Sequence, residues 1–142
     1  MPEGITGRRV HDAHGRAPRG RILLVDEDIK DLQLYTSILR EQGHVVDCCA
    51  TYLEGAERLE RGGYDLIILS QGGRTFEGQP LLERAIELDR RRPVLVLARS
   101  VHMPSYLDAM YLGAHDYMEK APGPWEIIKT VSNCLLLGSP AA

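Results

Sequence analysis

The sequence predicts a single doubly wound α/β domain in which five parallel strands alternate with five helices. Three observations carry that expectation. Short apolar runs recur between longer stretches with helical periodicity. The connections between them are brief. The runs Ile22–Val25, Leu66–Leu69 and Val94–Leu97 are apolar at every position rather than at alternate ones, as expected of strands covered on both faces. A chain of 142 residues supports one core.

Residues 1–20 carry Arg8, Arg9, Arg16, Arg19 and four glycines, with only isolated apolar residues such as Ile5 and Val10. They cannot bury enough surface to order themselves and read as a flexible leader, in preference to a basic nucleic-acid arm. The first strand spans Arg21 to Asp26. Behind it Ile29, Leu32, Tyr35, Ile38 and Leu39 share a helical face that stops at Gly43. The second strand runs from Val45 to Ala50. Thr51 and Glu54 then have capping-box spacing and open a helix carrying Leu53, Ala56 and Leu59.

Tyr64 to Ser70 is the organising strand, apolar until its last residue. A glycine-bearing loop, 71–78, leads into a helix from about Gln79 to Asp89, with Pro80 tolerated in its first turn. Arg90, Arg91 and Arg92 read as a helix end complementing the dipole, and Pro93 launches the fourth strand. A helix over Met103–Leu112 stops at Gly113, and a fifth strand covers His115–Glu119. A last helix from about Pro124 to Leu137 sets Trp125, Ile128, Val131 and Leu135 toward the sheet. The domain is expected over residues 21–138, with a tail at 139–142.

Composition narrows the function. A net charge of −3, from 17 basic and 20 acidic residues, lacks the basic excess of a nucleic-acid or membrane-surface binder. Three cysteines, two of them adjacent (Cys48 and Cys49), read as free thiols in a reducing cytoplasm. No apolar run approaches a membrane span.

Open parallel sheets put their chemistry beyond the carboxyl ends of the strands. Here those ends bring Asp26-Glu27-Asp28, Ser70, Ala98 and, past the fifth strand, Lys120, which are expected to converge on one pocket. Asp26 and Glu27 also read as acids favoured at a helix N-terminus, and the two roles can coexist.

Four motifs now stand in order: Leu24-Val25-Asp26-Glu27-Asp28, Tyr64-Asp65-Leu66-Ile67-Ile68-Leu69, Pro93-Val94-Leu95-Val96-Leu97, and Gly113-Ala114-His115-Asp116-Tyr117 ahead of Lys120. Together they resemble the receiver domain of two-component response regulators, of the chemotaxis-regulator type, over Arg21–Leu137. The resemblance implies a flavodoxin-like fold and a non-enzymatic signalling role. It also implies an acid pair, Asp26 and Glu27, that would hold magnesium, and a lysine, Lys120, that would neutralise an acyl phosphate.

It further implies that Ser70 stands where the family has its phosphoacceptor aspartate and Ala98 where it has the switch hydroxyl. A serine hydroxyl needs a base to become nucleophilic, and a methyl group cannot bond a phosphoryl oxygen. The family proline after the lysine is replaced by Ala121, with Pro122 one place on, and the family Met-Pro reads Gly73-Arg74.

The expectation is therefore an atypical receiver that signals by protein–protein contact without an aspartyl phosphate. No cofactor is required, and any magnesium is held weakly. Its partners would be a kinase, phosphotransfer or output protein, with homodimerisation open and no direct contact to nucleic acid. With no DNA-binding domain following Leu137, direct transcriptional action would need another chain or a longer parent. The alternatives are a receiver phosphorylated at another residue or at Ser70, and a sensor binding a nucleotide or anion in the vacated pocket. Tyr106, Met110 and Tyr111 on the fourth helix and Tyr117 on the fifth strand are the candidate partner surface. The competing reading makes Leu107, Met110 and Tyr111 core and leaves Tyr106 outside, and Tyr117 equally reads as strand-edge packing.

Overall fold

The computed structural model describes residues 18–120 and 123–137, so the leader over residues 1–17, Ala121, Pro122 and the residues from 138 onward lie outside the described residues. Five strands, β1 (Arg21–Val25), β2 (Val45–Cys49), β3 (Leu66–Ser70), β4 (Val94–Ala98) and β5 (Asp116–Glu119), alternate with α1 (Ile29–Glu41), α2 (Tyr52–Arg61), α3 (Gln79–Leu88), α4 (Met103–Leu112) and α5 (Trp125–Leu137). The strands form one parallel sheet in the order β2-β1-β3-β4-β5. The doubly wound, flavodoxin-like expectation holds.

β3 and β4 are buried at every residue because the sheet has a core on each face. One core joins Leu23, Val25, Ile67, Leu69, Val94 and Val96 to Leu59, Leu82 and Ala109 of α2, α3 and α4. The other joins Ile22, Leu24, Leu66, Ile68, Leu95 and Leu97 to Leu32 and Leu39 of α1 and to Ile127 and Val131 of α5. Successive residues of a strand thus enter opposite cores, which explains their unbroken apolar sequence.

Helix ends follow their local chemistry. The Asp28 carboxylate caps α1 by accepting from the N–H groups of Lys30 and Asp31. Thr51 Oγ1 caps α2 by accepting from Glu54 N. Gly113 ends α4 at φ 111°, a left-handed conformation that suits glycine.

Several finer expectations are corrected. β1 stops before Asp26, β2 before Ala50, and β5 starts at Asp116, because parallel pairing ends there. α3 ends at Leu88, so Arg90–Arg92 lie in the turn beyond it rather than at its last turn. The buried face of α2 is Gly55 and Leu59, with Tyr52 and Ala56 beside it, and Leu53 points out. A Cβ on Gly55 would fall 2.7 Å from Val25 Cγ2, and that close approach to β1 selects the face. α5 starts at Trp125, which is 68% exposed, because Ile127, Val131, Cys134 and Leu135 form the better-spaced buried stripe. Ile29 is likewise exposed on α1.

All three cysteines are free, and burial pushes the Cys49 thiol up to about 11 and the Cys134 thiol up to about 12. Among the described residues, no helix is long and apolar enough to cross a membrane.

Candidate functional site

β1, β3, β4 and β5 deliver the expected residues to one end of the sheet. Asp26 follows β1, with its N–H bonded to the carbonyl of Cys49. Ser70 closes β3 opposite Leu97, and Ala98 closes β4 opposite Glu119. Lys120 follows β5, with its N–H donating to the Ala98 carbonyl at 2.7 Å. The loop after Ser70 folds tightly back over the strand end. Gly78 N–H donates to the Gln71 carbonyl, and a Cβ on Gly78 would fall 2.5 Å from the Ser70 carbonyl oxygen. Phe76 anchors this loop, adopting φ 57° and burying its ring in the core.

Ser70 is buried, and its Oγ accepts from Gly72 N–H at 3.3 Å. Among the described residues, no carboxylate or imidazole lies within hydrogen-bond distance of that oxygen, so nothing there serves as its base. The Tyr52 hydroxyl donates to the Ser70 carbonyl at 2.8 Å and lies 3.2 Å from Glu27 Oε1. Burial pushes its pKa up, with the nearby Glu27 charge acting in the same direction, and so keeps this hydroxyl a donor.

The charged residues close on one another. Lys120 Nζ stands 2.9 Å from Asp26 Oδ2 and 2.8 Å from Asp31 Oδ2. Arg99, directly after β4, reaches Asp28 Oδ2 at 2.6 Å and Asp31 Oδ2 at 3.4 Å. Asp26 Oδ1 accepts from Asp28 N–H at 2.9 Å. Three carboxylates and two cations therefore form a ring joining the start of α1 to the ends of β4 and β5.

Asp26 is fully buried, and this desolvation is the largest influence on its pKa. The shift is upward, against the Lys120 ammonium and a hydrogen bond from Asp28 N–H. Burial also works against the charged form of Lys120, but the Asp31 and Asp26 carboxylates outweigh it and raise the ammonium's pKa. Two carboxylates share one ammonium, so Lys120 is well compensated and Asp26 only partly.

This donor set fits magnesium poorly. Asp26 already spends one oxygen on Asp28 N–H and faces the Lys120 ammonium with the other, in an ion pair without a hydrogen bond, Glu27 is exposed beside Tyr52, and Ser70 offers a hydroxyl in place of a carboxylate. Among the described residues, no group of three His, Cys, Asp or Glu side chains is placed to hold a metal ion.

Toward α4, the Tyr117 hydroxyl donates to Gln71 Oε1 and accepts from His102 N–H at 3.3 Å, while Gln71 Nε2 donates to the Gly73 carbonyl at 3.1 Å. His102 Nδ1 is 2.8 Å from Ser105 Oγ. Tyr106 packs edge-on to Tyr117 with ring centroids 5.3 Å apart. Tyr117 and Tyr106 thus face inward, so of the four candidate partner-surface residues only Met110 and Tyr111 stand outside. Leu107, Met110 and Tyr111 face outward, Tyr111 at 91% exposure, which reverses the reading that made them core and left Tyr106 outside. The buried positions of α4 are Ser105 and Ala109, small residues that bring the helix close to the sheet.

Sequence reasoning missed Asp31, Arg99 and Gln71. Arg99 and Gln71 each follow a strand's carboxyl end, and Asp31 stands three residues beyond Asp28 on the first turn of α1, so position alone was the available signal.

Residues 22–132 match the family described as the response regulator receiver domain. The transcriptional regulatory protein TcrA of Mycobacterium tuberculosis is 31% identical over 117 residues, 80% of this chain and 45% of that protein. The chain spans about half the length of the curated relatives it matches. The fold is similar to the crystal structure of a CheY-like receiver domain protein from Methanospirillum hungatei, with a TM-score of 0.79 at 24% identity over 86% of this chain and 98% of that one. It is also similar to a solution structure of the beryllofluoride-activated NtrC4 receiver domain dimer, with a TM-score of 0.75 at 20% identity over 84% and 98% of the two chains.

Proposed function

From the premise that this chain belongs to the response regulator receiver domain family, we propose that it is a cytoplasmic signalling module that acts by protein–protein contact without an aspartyl phosphate. The observation that carries this reading is Ser70. At the end of the central strand, where the family resemblance implies a phosphoacceptor carboxylate, this chain has a buried hydroxyl bonded to Gly72 N–H and no adjacent base. Ala98 supports the same reading, because a methyl group stands where a hydroxyl would register the phosphoryl group.

The partners that fit are a kinase, a phosphotransfer protein, an output protein or a second copy of the chain. Leu107, Met110 and Tyr111 of α4 offer them adaptable apolar area. The reading is tested by incubating the full chain with acetyl phosphate and magnesium, and separately with a histidine kinase and ATP, then measuring its intact mass. An unchanged mass is expected. A stoichiometric gain of one phosphoryl group overturns the proposal.

A further inference from the structure

The geometry points to Asp31 as a built-in anion that occupies Lys120 from within the chain, so that this ammonium is closed to added anions. This inference rests on the phosphate-independent reading above and supplies its physical basis.

Lys120 projects into a largely buried position, its side chain 9% exposed, where an unpaired ammonium is costly. Asp26, also buried, neutralises it from one side, but Asp26 follows directly from β1 and its other oxygen is fixed on Asp28 N–H. The second carboxylate comes from the first turn of α1, where the helix dipole favours an acid but does not dictate a pairing with Lys120. This residue is Asp31, and Asp28 already caps the helix. Asp31 Oδ2 nevertheless lies 2.8 Å from Nζ, within ion-pair and hydrogen-bond distance.

Arg99 then approaches the same oxygen from the solvent side, at 3.4 Å, while its stronger contact at 2.6 Å is with the capping carboxylate of Asp28. The Asp31 carboxylate therefore lies between two cations belonging to different strand ends, with Lys120 the closer. Any incoming anion that sought Lys120 would have to displace this carboxylate, whose tether to α1 gives it a high effective concentration. It would also meet the negative charges of Asp26, Asp28 and Glu27.

The probe is inorganic phosphate, titrated into the 15N-labelled full chain while the backbone amides of residues 98–100 and 119–120 are followed by NMR. The unaltered chain should respond weakly. Asp31→Asn keeps the size and removes the charge, and should tighten phosphate binding about tenfold or more, as expected when a charge contact near the protein surface is lost. Asp108→Asn makes the same change in net charge on exposed α4 and should leave phosphate binding as it was. Arg99→Gln should produce no gain, since Asp31 still occupies Lys120. Equal affinity in the unaltered and Asp31→Asn chains, whether weak or tight, overturns the inference, and so does an equal gain in Asp108→Asn.

A second measurement needs no substitution at Asp31. The chain has three lysines, and Lys30 and Lys129 are exposed, so Lys120 should give the one slowly exchanging ammonium signal in a 15N-edited spectrum, assigned by its loss in Lys120→Arg. An ammonium exchanging as fast as the other two overturns the inference. The phosphate-independent reading fails separately, by a phosphoryl mass gain on the unaltered chain.

Discussion

At the carboxyl end of the sheet, Asp26, Asp28, Asp31, Arg99 and Lys120 are all committed to one another. On α4, a few residues along the chain from Arg99, Met103, Leu107, Met110 and Tyr111 turn apolar surface to solvent. The first region has binding chemistry that is largely spent within the chain, with Asp26 Oδ2 held by the Lys120 ion pair but left without a hydrogen bond; the second has binding chemistry that is not spent. Charged groups at a strand end do not by themselves make a ligand site, because what matters is whether any of their pairing capacity is left over. By that measure the outer face of α4 keeps apolar area unpaired, while the strand-end charges are spent mostly on one another.

The largest expected effect tests the closed region. Lys120→Met leaves Asp26 buried against an apolar side chain and should destabilise the domain by about 3 kcal/mol in urea unfolding, the scale for removing one partner of a buried pair. A loss below about 1 kcal/mol would mean that the ring is a loose surface network.

A smaller effect separates the two faces of α4. Tyr106→Ala removes an edge-to-face partner of Tyr117 and should cost about 2 kcal/mol. Tyr111→Ala should change stability by no more than about 0.5 kcal/mol, yet weaken retention of a cognate kinase or output protein on the immobilised chain. Equal stability losses would erase the contrast between the inner and outer faces.

The smallest effect is with pH. The backbone N–H of Asp31 is the main influence lowering the Asp28 pKa, and the Tyr64 hydroxyl does the same for Asp47. Both folded values lie beneath the ordinary 3.8, so the stability these carboxylates contribute is fully present above that value and is lost as pH falls through the lowered ones. Asp26 acts oppositely. Burial raises its pKa, and protonation between 3.8 and the raised value relieves an unfavourable charge. Thermal midpoints should therefore hold nearly level down to about pH 4 and fall below it. The Asp26→Asn chain should lose the compensating part and decline sooner on acidification.

The same contrast marks what could be read from the residues in advance. The interior strands were legible because Ile22–Val25, Leu66–Leu69 and Val94–Leu97 enter a core on both faces, which leaves no position for a polar residue. Ser70, Ala98 and Lys120 were legible because strand ends fix where they stand. Helix faces were less so. α4 is apolar nearly all round, so periodicity could not choose between Tyr106 inside and Tyr111 inside, and small Ser105 and Ala109 decided it by allowing close approach. Leu53 and Trp125 were misplaced because an apolar residue near a helix start is free to face water when a better-spaced stripe exists behind it. The Asp31–Arg99 contact joins residues 68 apart in sequence and follows only once the sheet order is known.

That sheet order also orders events in time. β1 lies between β2 and β3, so residues 21–70 can assemble a three-stranded half-sheet as soon as they are synthesised, with β4 and β5 added outward from β3. The contact between Lys120 and Asp31 spans 89 residues and waits for the last strand to dock. Until β4 docks, Asp31 has neither Arg99 nor Lys120 beside it, and the half-sheet carries an exposed β3 edge that can pair with another chain. A chain stalled before β4 docks would be recognised by its β3 edge, and one stalled between β4 and β5 by its β4 edge.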